Sequence, residues 1–114
     1  MNEELQTAFK LLQLLMGMRK RLCVSGSSML PGLQSGDEIL FNPKAYRHKL
    51  PHEGDIVVAQ HPNQKKEIIK RVALVLEDGS CFLTGDNAAA STDSRSYGFI
   101  PLKNILGKVT SKFP

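Results

Sequence analysis

The first apolar pattern along the chain has the spacing of an α-helix. Between residues 3 and 18, apolar side chains recur at three- and four-residue steps and fall on one helical face: Leu5, Ala8, Phe9, Leu12, Leu15 and Met16. Asn2 can cap this helix, and Arg19-Lys20-Arg21 suit its last turn. A spanning helix needs about 20 apolar residues, so this run is too short to cross a membrane. We therefore predict an amphipathic segment over residues 1–21, which packs on its own domain or lies on a partner or a membrane surface.

After residue 21 the pattern changes to short apolar runs separated by turn signals such as Pro31-Gly32 and Gly85-Asp86-Asn87. The runs predict strands at residues 22–24, 38–41, 55–60, 68–76, 81–84 and 105–109. Several short strands with frequent turns indicate a mainly β fold, a small barrel-like or folded antiparallel sheet. We expect this sheet to form one domain over residues 22–114, preceded by the N-terminal helix.

Composition narrows the possible partners. The chain has 114 residues, five Phe, two Tyr, no Trp and a net charge of +4. The charges are spread along the chain and aromatic faces are few, which favours a solvated surface over a nucleic-acid partner. Cys23 and Cys81 each fall in an apolar run, where a free cysteine behaves as a small hydrophobic residue.

Histidines offer the one metal-binding alternative. His48, His52 and His61 cluster in a loop-rich stretch, where exposed loop residues are the favoured interpretation. A nickel metallochaperone that uses these histidines with the cysteines is a candidate function of another class. Their spacing fits a metal site poorly, and we expect no metal or other cofactor.

Two segments carry candidate hydrolytic chemistry. Ser28 lies on the Gly/Ser-rich turn of residues 24–31, where neighbouring backbone N–H groups are available to a developing oxyanion. Lys70 interrupts a strongly apolar strand. Taken alone, such a lysine is expected to reach solvent, but a buried lysine loses its proton more readily and can act as a base for a serine hydroxyl.

With a third segment, these residues resemble the type I signal peptidase family. Ser28-Met29-Leu30-Pro31 resembles its serine box, Lys70-Arg71 its lysine box, and Gly54-Asp55 its Gly-Asp-x-Val strand. The third box, Gly-Asp-Asn followed by Ser-x-Asp-Ser-Arg and Gly, is matched by residues 85–98. The resemblance covers about residues 22–109.

The resemblance implies roles for individual residues. Ser28 would be the nucleophile, Lys70 the general base, and Ser91 the hydroxyl that orients the lysine. The other residues expected to support the site are Gly26, Ser27, Met29, Pro31, Arg71, Asp86, Asn87, Asp93, Ser94 and Arg95. The backbone N–H of Ser28 would contribute to the oxyanion hole, while Gly26 replaces a serine whose hydroxyl assists in some members.

Two departures from the family refine the expected function. No spanning helix precedes the serine box, and only residues 72–84 separate the lysine box from the third box, where many members carry a large insertion. The small maturation peptidases of nickel-type superoxide dismutase resemble such a minimal core. We therefore expect a cytoplasmic endopeptidase that removes an N-terminal propeptide from a precursor protein, nickel superoxide dismutase being the favoured substrate.

Two rival functions remain. One is an ordinary signal peptidase held peripherally on an inner, cytoplasmic or thylakoid membrane through residues 3–18. The other, less favoured, is a self-cleaving repressor, which also pairs a serine with a lysine but lacks the Gly-Asp-Asn box. The sequence indicates neither the oligomeric state nor the cleavage preference.

Overall fold

The computed structural model describes residues 2–8, 11 and 18–113 of the chain. Its main element is one six-stranded sheet in the order β1-β2-β6-β3-β4-β5, in which every neighbouring pair is antiparallel. The strands are β1 (Lys20–Cys23), β2 (Glu38–Asn42), β3 (Ile56–Gln60), β4 (Glu67–Val75), β5 (Cys81–Thr84) and β6 (Ile105–Phe113). The sheet curls into a half-barrel, which confirms the mainly β fold expected from the short apolar runs.

Helical structure is sparse in the described residues. Helix α1 covers residues 3–8, and helix α2 covers Ser94–Tyr97. Single 3-10 turns are formed by Ala88–Ala90 and Leu102–Asn104. The remainder of the predicted N-terminal helix, residues 9, 10 and 12–17, lies outside the described residues. Of the helices that the structure describes, none has the length and apolar character needed to cross a membrane.

Both faces of the sheet are buried. One core cluster contains Val24, Met29, Leu33, Ile39, Phe41 and Val58. The other contains Val57, Ala59, Val72, Cys81, Leu83 and Ile100. Successive side chains on a strand point to opposite faces, so the fully buried neighbours Val57 and Val58 supply one cluster each. This explains why β3 is a continuous apolar run rather than an alternating one.

Strand β6 is longer than its apolar pattern predicts. The predicted strand ends at residue 109, whereas β6 continues to Phe113. The additional residues pair with β2, where Ser111 lies opposite Leu40 and Lys112 opposite Ile39. Pairing with a neighbouring strand therefore extends β6 through polar residues that carry no strand signal of their own.

Two predictions for the N-terminal part are wrong. Lys20 and Arg21 do not end the helix but begin β1, where Arg21 lies opposite Leu40 and forms an ion pair with Glu38. Cys23 is exposed, because β1 is an edge strand and this residue faces outward from it, whereas Cys81 is buried as expected.

Candidate active site

Lys70 is buried on β4. Its side chain is only 5% exposed, and its Nζ donates a hydrogen bond of 3.1 Å to Ser91 Oγ. The interpretation of an isolated strand lysine as solvent-reaching is therefore wrong, because the segment around Ser91 covers it. Burial lowers the pKa of Lys70; the Asp93 carboxylate opposes this shift, while the positive charges of Lys66 and Arg95 add to it.

Asp93 organises the residues behind the lysine. It is 1% exposed and accepts hydrogen bonds from Ser91 Oγ at 2.6 Å, from the Gly85 N–H at 2.8 Å and from Arg95 Nε at 2.9 Å. Burial alone would raise the pKa of Asp93, but these hydrogen bonds outweigh it and hold the pKa well below its usual range. Asp93 also forms an ion pair with Arg95 Nη2, at 2.5 Å.

The Asp93 carboxylate also fixes the orientation of the Ser91 hydroxyl. A hydroxyl has one proton to donate, and Ser91 gives it to Asp93. The lone pairs of Ser91 Oγ are therefore left to accept from Lys70 Nζ. Ser94 lies beside this group and accepts a hydrogen bond of 2.8 Å from the Leu83 N–H, which attaches α2 to β5.

Ser28 lies on a loop that is closed at both ends. Val24 N–H donates to Asp37 O at 2.8 Å, and Gly36 N–H donates to Val24 O at 2.8 Å. Met29, next to the serine, is 2% exposed and anchors the loop in the core. The backbone N–H of Ser28 donates no hydrogen bond to any group in the described part of the chain, so it is available to an oxyanion.

The Gly-Asp-Asn segment joins the serine loop to the lysine. Asn87 N–H donates to Ser28 O at 2.8 Å, and Asn87 Nδ2 donates to Ser27 O at 3.0 Å. A Cβ atom on Gly85 would lie 2.2 Å from Ser91 Oγ and 2.7 Å from Ser28 O. Only glycine leaves room for these two groups to approach the same backbone position.

Arg71 secures this segment from β4. Its guanidinium forms a bidentate ion pair with Asp86, at 2.8 and 2.9 Å, and also donates to Gly54 O at 2.8 Å. Arg71, next to Lys70, is thereby fixed to Asp86. The following residue, Asn87, holds the backbone of Ser28. The lysine and serine boxes are thus connected by a short path of hydrogen bonds.

Ser28 and Lys70 line the same open cleft, which has a volume of about 580 Å³. One wall is the end of β1 with the serine loop, residues 22–29, and the other is residues 66–70. Gly26, which has a φ of +80°, Ser27 and Met29 are part of this wall. Pro31 is exposed and does not line the cleft. Arg71, Asp86, Ser94 and Arg95 lie behind it and hold its walls in place.

His61 is a cleft residue that sequence reasoning missed. It is 8% exposed, its ring packs edge-on against Tyr97 with 5.1 Å between centroids, and it lines the same cleft as Lys70. The expectation of exposed loop histidines is wrong for His61, although His48 and His52 are exposed. His61 directly follows β3 and continues the alternation of the buried residues Val57 and Ala59. This alternation was the sequence signal that could have predicted its burial. Among the described residues, no three His, Cys, Asp or Glu side chains are placed to hold a metal ion.

Comparison with known proteins agrees with this arrangement. The family model described as signal peptidase, peptidase S26, matches residues 6–76 and 73–113. The chain belongs to this family. It is 37% identical over 109 residues to human mitochondrial inner membrane protease subunit 1, covering 77% of this chain and 65% of that protein. A probable signal peptidase I-1 from Synechocystis is 27% identical over 135 residues, covering 79% of this chain and 68% of that protein.

The comparisons confirm the resemblance to type I signal peptidases and, with it, the assignment of the chain to serine peptidases that hydrolyse peptide bonds. They contradict the expected cytoplasmic location. The subunit 1 protein of Schizosaccharomyces pombe, 32% identical over 108 residues and matched over 77% of this chain and 69% of its own length, is also named as a mitochondrial inner membrane protease. A short apolar N-terminal segment was a poor guide to location, because relatives named for a membrane match the same catalytic core.

Proposed function

We propose that this chain is a leader-cleaving endopeptidase in which Ser28 is the nucleophile and Lys70 the general base. The observation that carries the proposal is the environment of Lys70. Its amine is buried, its pKa is lowered and it is hydrogen-bonded to Ser91, in the same cleft as Ser28. A lysine that loses its proton near neutral pH can activate a serine without a histidine.

The proposed reaction has two halves. Neutral Lys70 takes the proton from Ser28 Oγ as this oxygen attacks the peptide carbonyl, and the Ser28 N–H stabilises the resulting oxyanion. The Lys70 ammonium then gives its proton to the leaving amine, and an ester on Ser28 remains. In the second half, neutral Lys70 takes a proton from water as the oxygen of that water attacks the ester. The Lys70 ammonium then returns this proton to Ser28 Oγ as the acid product leaves, which regenerates the serine hydroxyl and the neutral amine.

Ser91 and Asp93 act on the base. Because Ser91 donates its proton to Asp93, Ser91 Oγ accepts a hydrogen bond from Lys70 Nζ. This bond orients the amine so that its other positions, including the lone pair of the neutral form, are directed toward the cleft. Arg95 balances the charge of Asp93. The site therefore contains no unpaired carboxylate at Asp93 that would stabilise the protonated form of Lys70. This balance supports the role of Lys70 as a base rather than as a permanent cation.

The free edge of β4 supports an extended substrate. His61 N–H donates to Lys66 O at 2.9 Å, and Val72 N–H donates to Asp55 O at 2.8 Å. In an antiparallel ladder these bonds alternate, so the backbone groups of Glu67 and Ile69 point away from β3. β5 pairs with β4 only from Arg71 onward. A peptide added as a strand beside residues 67–70 would bring its backbone to Lys70.

The proposed substrate is a precursor protein with an N-terminal leader, in line with the names of the signal peptidase relatives. The propeptide of nickel-type superoxide dismutase is the specific candidate that the short connection of residues 72–84 suggests. Membrane docking through residues 3–18 is the alternative way of meeting such a substrate. A comparison of precursor proteins tests these two finer proposals separately from the general assignment as a leader-cleaving peptidase.

The first test is the loss of cleavage in Ser28→Ala and Lys70→Ala. Peptides carrying leader sequences are incubated with each purified protein, and new termini are identified by mass spectrometry. We expect both variants to lose at least about 1000-fold in kcat while circular dichroism stays unchanged. Ser80→Ala, a serine outside the cleft, is the matched control. Substantial cleavage by Lys70→Ala at neutral pH would contradict the assignment of the base.

The second test identifies the precursor. Nickel superoxide dismutase precursor, a secretory precursor and a mitochondrial inner membrane precursor are supplied in equal amounts, and their initial cleavage rates are compared. A clear preference for the first supports the maturation role. Cleavage of the other two alone would eliminate that role and leave the peptidase assignment intact.

A further inference from the structure

The cleft extends well beyond Ser28 and Lys70, and its far end has its own chemistry. Lys66 precedes Lys70 by four residues, so the two positions are about 13 Å apart along a strand that rises about 3.3 Å per residue. Lys66, Gln64 and His61 line the cleft at this far end. An extended substrate chain would therefore place a residue about four positions from the scissile bond beside them.

Strand alternation puts His61 and Lys66 on the same face of the sheet as Lys70. Counting in steps of two from Lys70 reaches Lys66, just before β4, and the same steps from Val57, the partner of Lys70, reach His61, just after β3. Glu67 also lines the cleft, but its side chain falls on the opposite face of β4. Lys66 forms no ion pair with Glu67 or with any other described residue, so its ammonium is unpaired.

His61 adds a hydrogen-bond donor to this charge. Its Nδ1 accepts a hydrogen bond of 3.0 Å from the Asn63 N–H, so the proton of the neutral ring is on Nε2. In the described part of the chain no group accepts from Nε2, although the ring is only 8% exposed and lines the cleft. Burial, Lys66 and Lys70 all lower the pKa of His61, which keeps the ring in this neutral form.

The loop that carries these residues is held in one shape before any substrate arrives. Lys66 N–H donates to Gln64 O at 2.9 Å, and Gln60 Nε2 donates to the same oxygen at 3.0 Å. The His61 N–H bond to Lys66 O closes the loop at its base. A fixed loop lowers the entropy lost on binding.

Building on the proposed peptidase function, we infer that His61 and Lys66 form a subsite for an acidic substrate side chain about four residues from the scissile bond. A carboxylate is the group that matches an uncompensated ammonium and a neighbouring N–H donor. This subsite adds a charge preference at a distance from the bond that is cleaved.

The experiment varies one position in a peptide that the wild-type protein cleaves. Asp, Asn or Lys is placed three, four or five residues from the scissile bond, on each side, and kcat/KM is measured for every peptide. At one of these positions we expect Asp to exceed Lys by about fivefold to tenfold, and the ratio to fall as salt is added.

Variants then assign the preference to the subsite. Lys66→Glu should reverse the Asp/Lys ratio, whereas Lys65→Glu, the same charge change at the neighbouring residue that does not line the cleft, should leave it within about twofold of the wild-type value. His61→Phe keeps an aromatic ring against Tyr97 but removes the donor, so it should reduce the Asp/Lys ratio. Because each ratio is taken within one protein, partial loss of folded enzyme does not affect it.

The outcomes separate this inference from the proposed function. If wild type cleaves the peptides but treats Asp, Asn and Lys alike, or if Lys65→Glu changes the ratio as much as Lys66→Glu, the subsite is refuted and the peptidase stands. If wild type cleaves no peptide, or Ser28→Ala cleaves equally well, the proposed function fails and takes the subsite with it.

Discussion

Lys70 shows how a single side chain changes character with its surroundings. On an isolated strand its long stem would carry the ammonium to water. In the folded chain the residues from Gly85 to Asp93 cover it, and burial lowers its pKa. The pattern of β4 alone could not indicate this, because the covering residues come 15 or more positions later in the sequence. Only the combination of three motifs pointed to the base.

The pH dependence of cleavage follows from this environment. The proposed mechanism requires neutral Lys70, so activity should fall as pH drops through the lowered pKa of this lysine. Lys66 contributes to that lowering, and Lys66→Met should therefore raise the Lys70 pKa and move the acidic limb of kcat to higher pH. Lys65→Met is the control. A limb that moves to lower pH in Lys66→Met would be inconsistent with this account.

Burial of Lys70 also costs stability. A lysine whose pKa is lower in the folded state binds fewer protons there than in the unfolded chain, so its cost is full below the folded pKa and disappears as pH rises toward 10.5. We expect Lys70→Met to be more stable than wild type by about 1 kcal/mol at pH about 7 in urea unfolding.

The same measurement at alkaline pH provides the check. Above pH about 11 the advantage of Lys70→Met should shrink, because the wild-type lysine is then mostly neutral in both states. Lys49→Met, at an exposed lysine, should show no such change between the two pH values. An advantage that grows with pH would disprove the linkage.

His61 is a second residue whose position depends on distant packing. The neighbouring Pro62-Asn63 pair signals a turn, and turns are usually exposed. The ring is nevertheless covered by Tyr97 of α2, a helix that sequence reasoning did not predict. The contact with Tyr97 has no local signature, and only the alternation of position 61 with Val57 and Ala59 indicated that His61 shares their buried face.

At the scale of elements, most of the sheet was predictable. The bounds of β5 agree with the predicted range, β3 begins one residue later than predicted, and β4 begins and ends one residue earlier than predicted. These strands are apolar runs that end at Gly, Pro, Asn or Asp turns, so local signals and tertiary structure agree. The exceptions are β6, extended by pairing with β2, and β1, which begins in a basic run assigned to the helix.

The segment from Gly85 to Ser91 is the element that joins the two halves of the site. A Cβ at position 85 would meet the Ser91 side chain and the Ser28 carbonyl, and the carbonyl belongs to a loop anchored in the core. We expect Gly85→Ala to lower kcat by about 100-fold, the size of effect that a displacement of about 1 Å can cause. Peptide cleavage under single-turnover conditions measures it.

Gly32→Ala is the matched control for this substitution. Gly32 lies in the same serine loop, but an added Cβ there would make only an ordinary contact, 3.8 Å from Met29 O. Activity close to wild type is expected. Wild-type kcat in Gly85→Ala would show that activity does not require the close approach of Ser91 and Ser28 to position 85.

For the whole molecule, the position of the site follows from the sheet order. The order β1-β2-β6-β3-β4-β5 leaves β1 and β5 as its two ends, and the cleft lies between the loop after β1 and the uncovered half of β4. The sequence indicated a barrel-like or folded antiparallel sheet but not which strands would be its ends. That information resides in pairings between strands far apart in the chain, which local patterns do not contain.

Binding of an extended peptide should be visible in the backbone of β4. In Ser28→Ala, which cannot cleave, a saturating substrate peptide should slow amide exchange at Glu67 and Ile69 by about tenfold, because these N–H groups point toward the cleft. Ile68 and Lys70, whose amides already face β3, should change less. Binding detected by another method without slower exchange at Glu67 or Ile69 would exclude an added strand.

The uncovered half of β4 has a second consequence. An unpaired strand is also a template for another copy of the chain, and natural proteins discourage such pairing with charged side chains at the edge. Here Lys66 and Glu67, which are both exposed, border the unpaired backbone. These two charged side chains therefore also oppose self-association. Replacing both with uncharged residues would favour aggregation through this edge.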